Sequence, residues 1–125
     1  MSEETAWVVH KFGGSSVADA ACFRRVADIV EQRSGERSAV VVSACKGVTD
    51  ALYELVAAAE RNGDVDAGLN ALRTRHFEIA DAILSEELIG RFVDTFEGDL
   101  CDIKGVLQTV RLTRSAAPSV RDLIT

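Results

Sequence analysis

Residues 6–10, around Trp7, Val8 and Val9, do not alternate with polar positions, which predicts a strand covered on both faces, and the β-branched run of residues 39–42 predicts a second strand. Between them Phe23, Val26, Ala27 and Val30 recur at spacings of three and four, placing them on one side of a helix that opens near Val17. Ser16 with Asp19 three positions on has the form of a capping box, and Ser34-Gly35 supplies a stop. Strand, helix and strand in that order make a βαβ unit, so the strands are expected to run parallel in an α/β sheet.

Beyond this unit the pattern is helical. Val48, Leu52, Leu55, Val56 and Ala59 mark a second helix closed by Asn62-Gly63, and Leu69, Leu72, His76, Phe77, Ala80 and Ile83 mark a third. With Ser85 as cap, the positions Leu88, Phe92, Phe96, Leu100, Ile103, Leu107 and Val110 predict a fourth, reaching about Arg111. Gly90, Gly98 and Gly105 each weaken that helix by roughly 1 kcal/mol relative to alanine, so packing has to hold it. Residues 115–119 read as a loop about Pro118, and residues 120–125 begin a helical pattern that meets no stop signal, as expected of a chain cut within a domain.

Composition adds bounds rather than detail. The 125 residues suit one domain that buries about two-thirds of its unfolded surface, and 47% hydrophobic with 27% charged residues is too apolar for disorder. A formal net charge of −6 opposes long-range attraction to nucleic acid or an anionic membrane, so any phosphate must be held locally. Cys22, Cys45 and Cys101 are odd in number and lack a CxxC pair, which suggests neither a disulfide framework nor a zinc site. No run reaches the ~18 apolar residues of a membrane span, and the acidic start is unlike a secretory signal, so a cytoplasmic location is expected.

The stretch with chemistry is Lys11-Phe12-Gly13-Gly14-Ser15-Ser16-Val17, between a strand and a helix. Glycines let a phosphate approach the backbone, helix-start amides supply donors, and a strand-end lysine adds a mobile positive charge. The spacing is neither that of a P-loop nor GxGxxG. By itself a Gly-Gly pair between strand and helix is also an ordinary tight turn. His10 reads as a strand histidine without an acid–base role, His76 as a partly exposed helical one, Cys45 as a small inert hydrophobe and Lys46 as a solvated surface lysine. Phe77, Phe92 and Phe96 read as core.

The segment KFGGSSV resembles the opening signature of the aspartate kinases. Val41-Val42-Ser43-Ala44-Cys45-Lys46-Gly47-Val48-Thr49-Asp50 resembles that family's second motif, and Ser119-Val120-Arg121-Asp122-Leu123-Ile124 the helix leading to its Gly-Glu motif. The resemblance implies the amino-terminal part of an amino-acid-kinase αβα sandwich, with parallel strands and a helical insertion, spanning residues 1–125. It implies that Lys11, Gly13 and Gly14 contact the transferring phosphates of ATP, that Ser15 lies between phosphate and amino acid, that Ser43 lies by the reacting groups, and that Thr49 bonds the L-aspartate substrate. Asp50 departs from the family's commoner asparagine and is not counted. The expected reaction is ATP-dependent phosphorylation of the aspartate side chain, opening lysine, threonine and methionine biosynthesis, with Mg2+ carried on the nucleotide and no protein metal ligands. Homo-oligomerisation is expected, and the chain alone is expected to be inactive. The first helix and the run to Leu52 look closest to the kinase part of bifunctional aspartate kinase–homoserine dehydrogenases. Two other readings remain: a kinase for acetylglutamate, glutamate or uridine monophosphate, and a non-catalytic anion-binding or self-associating module.

Overall fold

The computed structural model describes residues 6–33, 35–113 and 124. They divide into two compact units, Met1–Gly47 and Val48–Thr125, each taken by itself.

The first unit holds the expected βαβ order. Strand β1, Val8–Phe12, pairs in parallel with β2, Ser38–Val42, in the register Val8 with Ser38 through Phe12 with Val42. Both strands are displaced from the sequence reading: β1 starts two residues later and takes in Lys11 and Phe12, and β2 gains Ser38. Their surroundings also differ, because β1 alternates between half-buried and exposed positions rather than being covered on both faces. Val9 is 65% exposed and Val42 56% exposed. Unbroken apolar runs identify strands built for two-sided cover, but the described residues supply only part of that cover.

After β1 the chain makes a 3-10 turn, Gly14–Val17, whose Val17 is fully buried. Helix α1 starts only at Ala20 and runs to Gln32. The capping box expected at Ser16 does not form. Asp19 is itself the cap: its backbone is extended and its carboxylate accepts the Cys22 amide at 2.9 Å. Aspartate satisfies an orphan amide as well as serine does, and its charge also favours a helix start, so the cap falls where the acid stands. The half-buried Phe23, Val26 and Val30 keep the predicted helical spacing, though no α1 residue is fully buried. Of the expected stop, Ser34 lies outside the described residues.

The second unit packs three helices together: α2 Val48–Glu60, α3 Asp66–Ile83 and α4 Glu86–Thr113. Its core includes Leu52, Leu55, Val56, Leu69, Leu72, Leu100, Leu107 and Val110, each worth roughly 1.5–3 kcal/mol on burial. The Asn62-Gly63 stop is present in detail. Asn62 takes the left-handed conformation (φ 56°), its amide donates to Ala59 O, and the Gly63 amide donates to Ala58 O at 2.7 Å, as in a Schellman ending. Arg111 of α4 fastens this turn by donating to Gly63 O at 2.8 Å. Ser85 caps α4 as expected, though its side-chain bond to the Leu88 amide is long at 3.4 Å. Gly90, Gly98 and Gly105 face open space, so they weaken α4 without admitting a neighbour. Phe77, Phe92 and Phe96 form an aromatic cluster of half-buried rings rather than full core, and His76 stacks on Phe96 at 4.8 Å between centroids. The Pro118 loop and the helical pattern at residues 120–125 lie outside the described residues, except Ile124, which is helical and buried.

Candidate functional site

Parallel pairing brings the carboxyl ends of β1 and β2 side by side, and the two sequence motifs leave the sheet there. In open α/β sheets ligands bind in the crevice beyond those ends. The loops are stitched together: the Ser43 amide donates to Phe12 O at 3.0 Å, and the Lys46 amide donates to Gly14 O at 3.1 Å. Residues about thirty positions apart therefore share one surface.

The two glycines prove unequal. A β-carbon on Gly14 would stand 3.2 Å from Ala44 O and 3.5 Å from Lys46 Cα, so Gly14 is what lets the loops touch. A β-carbon on Gly13 would meet nothing within 4 Å, and Gly13 has an ordinary extended backbone, φ −74° and ψ 175°. No packing or turn geometry explains glycine at position 13. Space kept clear beside a backbone amide is what an approaching anion needs.

Among the described residues, no backbone oxygen accepts the amides of Gly13, Gly14 or Ser15, whereas the Ser16 amide is taken by Gly13 O at 3.0 Å. Three consecutive unengaged donors are thus available at the end of β1. This shifts the donor set expected from the sequence. The start of α1 is already occupied by the Asp19 carboxylate, whose charge would repel a second anion, so the donors open to an anion are those of the glycine loop rather than the long helix. The Cys22 amide holds the Asp19 carboxyl below its usual value of 3.8.

Lys11 is exposed in the last turn of the β1 pleat, opposite Val41, with Ser15 and Ser43 exposed nearby in the chain's two loops. Lys11, Gly13, Gly14, Ser15 and Ser43 all belong to the first unit and to this end of its sheet. Thr49 is exposed in the first turn of α2 and belongs to the second unit. His10 faces away from this group; its ring contacts Glu36 at 3.4 Å, and Glu36 also bonds Arg33. What the motifs did not announce is the backbone of residues 44–47. Cys45 is buried, Lys46 lies against Gly14, and Gly47 adopts φ 85°. The glycine after a strand was the available signal for that turn.

The arrangement can hold a polyanion against backbone donors and present a lysine ammonium to it. Among the described residues no three His, Cys, Asp or Glu side chains come together to hold a metal ion. No helix among them is long and apolar enough to cross a membrane.

The sequence model of the amino acid kinase family matches residues 6–116. A bifunctional aspartokinase/homoserine dehydrogenase, chloroplastic, of Daucus carota is 34% identical over 119 residues, covering 94% of this chain and 13% of its own length. An aspartokinase of Chlamydia trachomatis is 38% identical over 97 residues, covering 78% and 22%. The crystal structure of E. coli aspartokinase III in complex with aspartate and ADP superposes with a TM-score of 0.75 at 32% identity, over 95% of this chain and 25% of that one. This chain thus spans a quarter or less of each of these three relatives.

Proposed function

This chain belongs to the amino acid kinase family, and on that premise we propose that the protein carrying it is an aspartate kinase, transferring the terminal phosphoryl group of ATP to the side-chain carboxylate of L-aspartate. One observation carries the reading: the Gly13, Gly14 and Ser15 amides stay unengaged at the end of β1, beside Lys11 and against the loop from β2. The names of the relatives, aspartokinases throughout, and the aspartate and ADP held by the solved one, support aspartate and a nucleotide as its substrates.

The chemistry asks for no general base, because the aspartate carboxylate is already ionised at neutral pH. A carboxylate oxygen attacks the terminal phosphorus, the bond from that phosphorus to the bridging oxygen breaks, and ADP leaves with the electron pair. The product is 4-phospho-L-aspartate. Two anions have to meet, so positioning and charge neutralisation lower the barrier. Lys11 and the amides of Gly13, Gly14 and Ser15 would bind the phosphoryl oxygens, Ser43 would lie beside the reacting groups, and Thr49 would hydrogen-bond aspartate. Mg2+ would be held through the phosphate oxygens, supplying further charge neutralisation there. Entry into lysine, threonine and methionine biosynthesis, a cytoplasmic location and a homo-oligomeric state complete the proposal.

The test is a phosphorylation assay on the full-length polypeptide with aspartate, acetylglutamate, glutamate and uridine monophosphate as acceptors. Aspartate is expected to be preferred, and Lys11→Ala to lower kcat by about 100- to 1,000-fold. Preference for another acceptor would reject the assignment.

A further inference from the structure

Building on the aspartate kinase reading, we propose that Lys46 is a second phosphate-binding cation of this site, its ammonium meeting the terminal phosphoryl oxygens from the β2 loop while Lys11 meets them from β1. The chain contains three lysines, Lys11, Lys46 and Lys104. Lys104 pairs with Asp66 in the second unit. The other two stand on the adjoining loops at one end of the β1–β2 sheet, in a chain whose net charge is −6. Nothing in their sequence spacing foretells this, because it is the parallel register and the loop contact that join them.

The placement of Lys46 is tightly determined. Its amide donates to Gly14 O at 3.1 Å, and its Cα lies 3.5 Å from where a β-carbon of Gly14 would be. On one side stands Cys45, buried, and on the other Gly47, whose φ of 85° is a conformation other residues rarely adopt. The side chain is therefore rooted on the glycine whose own amide is offered to the phosphate, and the exposed residue carries its ammonium on a flexible four-carbon stem. A second ammonium from the facing loop would add to Lys11 in neutralising the triphosphate and the incoming carboxylate where the bond forms.

Steady-state kinetics and calorimetric ATP binding on the full-length polypeptide, comparing wild type with Lys46→Met and Lys46→Arg, test this. Lys46→Met is expected to lower both kcat/KM for ATP and ATP affinity by about tenfold to a hundredfold, the loss of one charged contact, with an unchanged unfolding midpoint. Lys46→Arg is expected to recover most of the loss, since the charge returns. Affinity and kcat/KM within twofold of wild type in Lys46→Met would overturn the proposal, as would a loss that arginine does not repair. A wild type that binds ATP, loses that affinity in Lys46→Met and yet leaves aspartate unphosphorylated would remove the aspartate reading while keeping the phosphate contact. A wild type that binds no ATP would remove both.

Discussion

The two adjacent glycines separate a demand of the fold, which falls on Gly14, from the proposed demand of the ligand, which falls on Gly13. Gly14 is required by the fold: a methyl group there meets the Ala44 carbonyl at 3.2 Å, and because that neighbour is backbone, the two loops have to part. Gly14→Ala should therefore destabilise the protein by about 1–2 kcal/mol, read as a lower urea midpoint at unchanged m-value. Gly13→Ala meets nothing within 4 Å and keeps an allowed backbone, so stability should change by less than about 0.5 kcal/mol. If this loop holds phosphate as proposed, the same methyl in the full-length polypeptide enters the phosphate's space, and ATP affinity should fall at least tenfold. A Gly13→Ala protein that binds ATP as wild type does would show that the clear space beside this residue has no ligand to receive. The sequence marked both glycines alike, since a pair of identical residues in a turn carries no record of which one a neighbouring loop leans on.

At the level of elements, one helix cap and one ion pair between helices contribute to the behaviour in acid. Asp19 has its carboxyl held below the ordinary value of 3.8, first by the Cys22 amide, and Glu97 is held below 4.5 by its bonds to Arg73, which joins α3 to α4 at 2.6 Å and 3.0 Å. A carboxyl depressed in the folded state stabilises it fully above the unfolded value and loses that contribution as pH falls through the folded one. Both groups are solvent-exposed, so the effect is modest, and it belongs to the range below about pH 4. Asp19→Asn keeps a capping oxygen but no longer titrates: its unfolding midpoint should lie slightly below wild type near neutrality and fall less steeply below pH 4, so that the two proteins converge in acid. Equal slopes for the two proteins would show that α1 does not depend on this charge. The elements themselves were largely legible, because spacings of three and four survive whatever the helix packs against, and Asn62-Gly63 declared a left-handed ending that is realised at φ 56°. The start of α1 was misplaced because Ser16 and Asp19 both carry capping oxygens, and the choice between them was made by Val17, which the 3-10 turn buries before the helix can begin. The contact between the glycine loop and residues 44–46 left no local trace, since it depends on strand register.

For the molecule as a whole, the sheet sets what this chain can do by itself. The register puts Val9 and Val41 on one face of the β1–β2 pair and Val40 and Val42 on the other, and all four are more than 40% exposed. Among the described residues each strand also has one edge without a strand partner. Parallel sheets are stable when both faces are covered, and an uncovered apolar pair with open edges is a template for further pairing. The solved aspartokinase III carries about four times as much chain as the part that matches here, so in that relative there is ample polypeptide to provide such cover. The isolated 125-residue chain should instead bury these valines against a second copy. Sedimentation equilibrium should give a mass that rises with concentration above the monomer value of 13.5 kDa, and the Val9→Lys, Val41→Lys pair should reduce that association, with helical circular dichroism retained as the control for folding. It should also show no phosphorylation of aspartate, because it spans only a quarter of the solved relative that holds aspartate and ADP. A strictly monomeric chain across the micromolar range would mean that the exposed valines are tolerated in water. Turnover by the isolated chain would mean that its 125 residues suffice for transfer.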